Sequence, residues 1–315
     1  MSENKKIARI LIIMALSFLV PVILFFKFIT PQYDLSYDRA VADKVHRADI
    51  IQMEKIMFVG NSATAFGYRC ETIEELLDYE YMTVNLGMHG SLGNTFQENM
   101  AKRSVKPGDY VILGFTDYLG ETWEMENSMY AWIAIENDFD LWSLVGRQDI
   151  FKMVDAFPVY AKKCVRLWHT KMGNQPQEFG YSRWDFNAYG DDAYCDTIGG
   201  YFKVEGEALA EPVEFDQEGI ARVNAFVDYI DSKGATVLLV CPTLMTTNPD
   251  QDDTEIVNSW QEFTSQLKCD CITDISEYMM SNEMFYDNKN HLNTEGAQLR
   301  SQMFARDFKN YVKAQ

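Results

Sequence analysis

Five short apolar runs punctuate the chain: Lys55–Val59, a run ending near Asn85, Tyr110–Leu113, Thr236–Cys241 and a last one near Cys271–Thr273. None is longer than about six residues, and stretches with helical spacing separate them. "ETIEELLDYE" puts Ile73, Leu76 and Leu77 on one face, and "NTFQENMAKRSV" reads as a further helix. Gln217 to Lys233 reads as a long helix stopped by Gly234, and Asp253 to Leu267 as another. "NTEGAQLRSQMFARDFKNYVK" closes the chain as a helix capped by Asn293 or Thr294. Short apolar strands alternating with helices specify a parallel sheet covered on both faces. Functional groups in such folds gather at the carboxyl ends of strands. Three turns fall there: Gly60-Asn61-Ser62, "NLGMHG" and "GFTDY". Gly-Asn-Ser after a strand reads either as a plain turn or as a nucleophile set on a strand-to-helix turn.

Ahead of this body, Ile10 to Phe26 is free of charge, with Lys5, Lys6 and Arg9 before it and Lys27 after. The run is at the short end for a membrane span, and Phe28 and Ile29 extend it. The exit, "FFKFITPQYD", lacks small residues at cleavage spacing, which favours a retained anchor over a signal peptide. The basic flank places residues from about 32 onward outside the cytoplasm. Beyond residue 27 the chain holds 24 basic and 46 acidic residues, so the body repels nucleic acid. Six scattered cysteines form no CxxC pair, and no histidine stands at metal spacing. Neither metal nor cofactor is expected.

Tyr118 to Phe215 interrupts the alternation and carries five of the six tryptophans, at 123, 132, 142, 168 and 184. "LWSLVGRQDIFKMVDAFPVYAKK" reads as helical and "GYSRWDFNAYGDDAYCDTIGGYF" as an aromatic loop. Set above the sheet edge, this insertion forms either a wall of stacking rings for sugars or a small core of its own. Trp123, Trp132 and Trp184 are the candidates for the wall. The acidic run from Asn248 is solvated surface, with Asp252 or Asp253 capping the next helix.

Asp287 precedes His291 by four residues just before the closing helix. A histidine with an acid nearby suits general-base work, and a solvated loop histidine is the other reading. With these residues in view, four ordered blocks resemble the SGNH (GDSL-type) hydrolase superfamily. They are "FVGNSATA", "VNLGMHGS" with Gly90 five residues after Asn85, "VILGFTDY" and "DNKNHLNTEG". The resemblance implies a flavodoxin-like three-layer α/β fold with Ser62 as nucleophile, His291 as base and Asp287 as orienting acid. It implies an oxyanion hole from the amides of Ser62 and Gly90 with a side-chain donor at Thr116. Three residues depart from the pattern. Asn61 stands where the family has Asp, Thr116 where it has Asn, and the position three before His291 is Asn288 rather than an acid.

Anchored extracytoplasmic members of that family imply a bacterial envelope setting and acyl-ester chemistry on a cell-surface glycan or glycopolymer. A multi-spanning membrane acyltransferase is the partner this implies. The departures keep open a second class, a weak or inactive glycan-binding scaffold on the same fold. The expected organisation is an anchor over 1–30, a tether over 31–54, and a domain over 55–315 with the insertion at about 118–215.

Overall fold

A computed structural model describes residues 3–136, 138–170, 181–198, 210–248 and 252–315. Its elements run α1 (Glu3–Leu24), α2 (Ala40–Ile50), β1 (Lys55–Val59), α3 (Ser62–Gly67), α4 (Cys70–Leu76), β2 (Met82–Asn85), α5 (Asn94–Ser104), β3 (Tyr110–Leu113) and α6 (Ser128–Ile135). They continue as α7 (Ile150–Thr170), α8 (Tyr194–Ile198), α9 (Gln217–Asp231), β4 (Thr236–Leu239), β5 (Leu244–Thr246), α10 (Thr254–Thr264), β6 (Asp270–Cys271), β7 (Met279–Ser281) and α11 (Thr294–Ala314).

The main sheet has the order β2-β1-β3-β4-β6 with every pairing parallel, the flavodoxin-like 2-1-3-4-5 arrangement. Its strands are nearly continuous apolar runs because both faces are covered. Met57, Val59, Val111, Leu113, Val237 and Leu239 face a core shared with α2, α5, α6, α7, α9 and α10. The alternate residues Ile56, Phe58, Ile112 and Leu238 face Cys70 and Ile73 of α4 and Phe304, Ala305 and Phe308 of α11. The α/β architecture with a parallel sheet thus stands as read. β5 and β7, a two-stranded parallel ladder, were not foreseen. Asp216 starts α9 by accepting from Gly219 N at 2.7 Å, and Asn293 starts α11 by accepting from Gly296 N at 3.0 Å.

Residues 31–54 are not a tether. Tyr33, Tyr37, Val41, Val45 and Ala48 are all buried, so α2 is a packed layer of the domain. Its stripe escapes a reading by composition because Lys44 sits in it. Lys44 is fully buried, and its Nζ donates to the carbonyls of Asn85 (3.1 Å), Gly87 (2.6 Å) and Gly190 (2.6 Å). Removal from water pulls its pKa down to about 7.

The insertion is not a unit apart either. Trp123, Trp132, Leu144, Met153 and Tyr160 join the core that covers the sheet. Parts of its aromatic loop, at 180 and 199–202, and residues 249–251 of the acidic run lie outside the described residues.

α1 and the π-helical turn Phe25–Ile29 form one helix, Glu3–Ile29, long and apolar enough to cross a membrane and with none of its apolar window buried. It enters the domain without slack, since Thr30 and Tyr33 are each 1% exposed. Glu136 fixes this junction by accepting from Gln32 N at 2.8 Å and Tyr33 N at 3.1 Å. Burial raises the Glu136 carboxyl from 4.5 to about 7, in spite of those two amides. A carboxyl raised on folding contributes stability that is present below its unfolded pKa and lost as pH climbs through about 7. At about 1.4 kcal/mol per pH unit the swing is of order 3 kcal/mol. Glu136→Gln keeps the acceptor and removes the titration. Urea unfolding of this variant is expected to lack that loss between pH 4.5 and 7 and to exceed the parent in stability at pH 8. A parallel pH profile in both proteins would refute the assignment.

Candidate active site

The site forms where β1, β2 and β3 end. Gly60 has no room for a side chain: a Cβ there would lie 2.0 Å from Thr64 Oγ1 and 2.6 Å from the Gly114 carbonyl. That close approach lets α3 begin directly at the sheet edge. Asn61 caps α3 by accepting from Ala63 N at 3.1 Å. Thr64 Oγ1 donates to Gly114 O at 2.8 Å, and Asn85 Nδ2 donates to Thr64 O at 2.9 Å and to Asp191 Oδ1 at 3.0 Å. Ser62, first residue of α3, is thereby held to two neighbouring strands.

His291 is 8% exposed and comes from the loop before α11. Its Nε2 lies 2.9 Å from Ser62 Oγ, and its Nδ1 lies 2.8 Å from Asp287 Oδ1. Phe66 stacks on the imidazole at 4.1 Å with the rings 7° apart, fixing its plane. The structure therefore places Ser62, His291 and Asp287 in one hydrogen-bonded line.

Asn288 complicates the proton count. Its Nδ2 lies 2.8 Å from the same His291 Nδ1, and its Oδ1 accepts from Asn290 N at 2.8 Å, which fixes the amide's orientation. Nδ1 can donate to the carboxylate or accept from the amide, not both. The carboxylate wins, because a charged acceptor makes the stronger bond and Asn288 Nδ2 has Asp287 Oδ1 as its own acceptor at 3.0 Å. Nδ1 then carries the hydrogen, and Nε2 accepts from the Ser62 hydroxyl. Partial burial pushes the Asp287 carboxyl up, but hydrogen bonds from His291 and Tyr181 outweigh this and hold it below the usual range.

Tyr181, whose hydroxyl donates to Asp287 Oδ2, had no signal in the sequence, being one of many aromatics in the insertion. Its position comes from an antiparallel bridge between Ser36 and Ser182 and from Arg183 N donating to Leu35 O at 2.9 Å. Burial and the neighbouring carboxylate both raise the Tyr181 hydroxyl's pKa, so it remains a donor.

The amides of Ser62 and Gly90 begin a helix and a 3-10 turn, positions that have no intrahelical acceptor. Thr116 does not serve as the expected third donor. Its hydroxyl donates to Asp117 Oδ2 at 3.0 Å while accepting from Asn61 Nδ2 at 2.7 Å. Asn61 Nδ2 has a second hydrogen, and Asn61 lines a cleft of about 790 Å³ with Gly90, Asp117, Glu121, Glu124 and Glu126. A second cleft, about 480 Å³, is lined by Thr116, Asp117, Glu211, Thr243, Lys289 and Asn290. The two share Asp117; the first is mostly polar and acidic, and the second also carries Val213, Leu244 and Met245.

The tryptophan wall is not there. Trp123 is 1% exposed with Nε1 3.4 Å from Glu98, and Trp132 is 6% exposed, donating to Met153 O and stacked on Tyr160. Both complete the apolar layer over the sheet. Trp184 is 74% exposed but borders a separate cleft with Asp34, Asp43 and Arg183.

No family model matches the sequence, and no curated protein matches it. Among solved structures, protein YXIM of Bacillus subtilis aligns at 13% identity and a TM-score of 0.35, over 83% of this chain. The chain spans 57% of that protein's length. A structure described as a platelet activating factor from Streptococcus pneumonia aligns at 13% identity and a TM-score of 0.34, over 93% of this chain and 98% of its own. Likenesses of this size carry no argument about the site, which rests on its own distances.

Replacing Asp287 by Asn leaves a neutral partner able to hold the wrong imidazole tautomer. The rate of Ser62 labelling by a fluorophosphonate is expected to fall roughly 10³–10⁴-fold. Asn288→Ala should change it by only a small factor. Equal or reversed effects would assign the orienting role to the amide.

Proposed function

We propose that this chain is an SGNH-type serine enzyme that cleaves or transfers an acyl ester, held at a bacterial membrane with its body outside the cytoplasm. The observation that carries the reading is the line from Ser62 Oγ through His291 to Asp287, at 2.9 and 2.8 Å. A serine hydroxyl attacks an ester at neutral pH only with a base beside it. His291 Nε2 takes the Ser62 proton as Oγ bonds to the acyl carbon, while Asp287 stabilises the imidazolium. The tetrahedral oxyanion lies against the amides of Ser62 and Gly90. His291 then returns the proton to the departing alcohol, leaving an acyl-serine. A second alcohol or water, deprotonated by the same His291, releases the acyl group.

Asn61 is the side-chain donor that best fits the oxyanion. Its Oδ1 is used in capping α3, one amide hydrogen is given to Thr116, and the other faces the cleft shared with Gly90. Thr116 and Asp117 then act together as a fixed shelf for that amide.

A short acyl group on a polar polymer fits the surroundings better than a long-chain lipid ester. The cleft lined by Asn61 and Gly90 carries Glu121, Glu124, Glu126 and Glu218, and the second cleft, though it includes Val213, Leu244 and Met245, is edged by Glu211 and Lys289. A chain laid along the two clefts that meet at Asp117 is consistent with a cell-surface glycopolymer as acceptor or donor. The membrane helix supports a setting beside a multi-spanning acyltransferase that supplies the acyl group.

Fluorophosphonate labelling of the full chain in detergent tests the chemistry. Labelling is expected at Ser62 together with steady release of acetate from an acetylated polysaccharide, and Ser62→Ala is expected to show neither. An unlabelled Ser62 would sink the enzyme reading and leave a glycan-binding scaffold.

Asn61→Ala removes the amide donor together with the cap on α3. It is expected to lose about 10²–10³-fold in kcat, the cost of one such donor, along with roughly 1 kcal/mol of stability from the lost cap. An undiminished kcat would leave the oxyanion to the two backbone amides. Location is checked separately: protease added to spheroplasts should digest the body, and a protected body would reverse the assigned orientation.

A further inference from the structure

α7 is apolar over a broad arc, and among the described residues only one side of that arc is buried in the domain. Met153, Tyr160 and Cys164 face the core. Ile150, Val154 and Trp168 form a stripe on the other side, where spacings of four and eighteen residues bring side chains to nearly one face. They are 42%, 61% and 48% exposed, and Phe151 beside them is 79% exposed. The stripe is about 27 Å long at 1.5 Å per residue. Apolar area of this extent on one face marks an interaction surface.

The position of α1 says what covers it. The base of the membrane helix packs on the middle of α7, with Phe25 and Phe26 6.3 and 5.7 Å from the Phe157 ring. Phe157 sits between the two sides, about 60° round the helix from Val154 by the 3.6-residue turn. Tyr160 OH and Cys164 Sγ hold Thr30 O at 3.3 and 3.6 Å. No free segment separates the end of the span at Ile29 from α7, so this helix cannot stand away from the surface that α1 leaves. Phe139, 70% exposed, lies at the same exit, 6.4 Å from Phe26.

Charge points the same way. The whole chain is −19, yet from Arg147 to His169 five lysines and arginines stand against two acids. Lys162 and Arg166 are exposed and flank the apolar stripe rather than interrupt it. An apolar stripe ending in a tryptophan and edged by cations is the composition of a helix lying in the headgroup region of an anionic bilayer.

We propose that the outer stripe of α7 lies in the membrane interface, its lysine and arginine heads among anionic lipid headgroups, so that the domain rests on the bilayer in one orientation. The inference rests on α1 spanning the membrane. It goes beyond anchoring: a single helix leaves the domain free to rotate about its axis, whereas a second line of contact fixes which way the Ser62 clefts face.

Nitroxide labels report this in the full-length chain, placed one at a time at residues 16, 154, 162, 168 and 313 after Cys269→Ser and Cys271→Ser. The protein is reconstituted in phosphatidylcholine vesicles containing phosphatidylglycerol, and collision with oxygen is compared with collision with a water-soluble nickel chelate. Labels at 154 and 168 are expected to favour oxygen, at shallower depth than 16. The label at 162 should report the headgroup region, and that at 313, across the sheet on α11, should report water. Water-like values at 154 and 168 with residue 16 in the acyl chains would overturn the inference and leave the anchor standing. Water-like values at 16 as well would overturn the anchor itself. If 154 and 168 are wet in vesicles but immobilised in native membranes, a protein partner covers the stripe and the lipid proposal is wrong.

Discussion

Everything at the site depends on how closely α3 approaches the ends of the strands. Parallel strands leave unpaired carbonyls at their carboxyl edge, and a helix beginning there must satisfy them or exclude them from water. Here Thr64 takes the Gly114 carbonyl, Asn85 takes that of Thr64, and Lys44 collects three more at the end of β2. Glycine at 60 and 87 makes the geometry possible, since a Cβ on Gly87 would lie 2.4 Å from Ala65 N. The result is a serine on the first turn of a short helix, where the helix itself supplies no acceptor for its backbone amide. The proposed nucleophile and one proposed oxyanion donor thus come from the same constraint.

The histidine arrives by a different route. α11 lies on the opposite face of the sheet from α5 and α9, and buried Arg300 secures it by donating to Cys241 O at 3.0 Å and to Thr243 Oγ1. The loop before α11 then needs only to reach over the edge, where Phe66 of α3 meets the ring. The acid four residues before the histidine, rather than three, leaves Asn288 between them. The amide occupies the inner position and the carboxylate reaches round it, braced by Tyr181 from the insertion. A departure in spacing is thus answered by a partner from elsewhere in the chain.

What could be read from the sequence divides along physical lines. Strands β1 to β4 declared themselves because burial on both faces demands continuous apolar runs, and α9 and α11 because their caps and stripes are regular. Ser62, His291 and Asp287 were legible as residue types next to strand or helix boundaries. α2 was not, because its stripe contains a lysine whose ammonium group is solvated by three carbonyls from two distant segments. Tyr181 was not, because its role depends on a bridge between Ser36 and Ser182, 146 positions apart in sequence. Trp123 and Trp132 stayed open to two readings for the opposite reason: large rings suit both a sugar platform and a core, and only burial distinguishes them. Thr116 failed as a donor because a hydroxyl has one hydrogen, and Asp117 beside it is the better acceptor.

These tertiary links join the N-terminal helix to the line of Ser62, His291 and Asp287. The segment that leaves α1 at Thr30 is buried at once, passes Tyr33 and Tyr37, and bridges at Ser36 to the strand-like stretch that carries Tyr181. Tyr181 holds Asp287, and Asp287 sets the tautomer of His291. Tyr37 packs against both Tyr181 and Phe186 at 5.9 and 4.7 Å, so the route is one of continuous contact rather than proximity in sequence. Glu136 and Tyr160 close it from the side of α6 and α7. A flexible linker at this point would leave the line of Ser62, His291 and Asp287 indifferent to where the helix sits. With α1 joined rigidly to the brace on Asp287, the direction of that helix and the orientation of the imidazole belong to one packed unit.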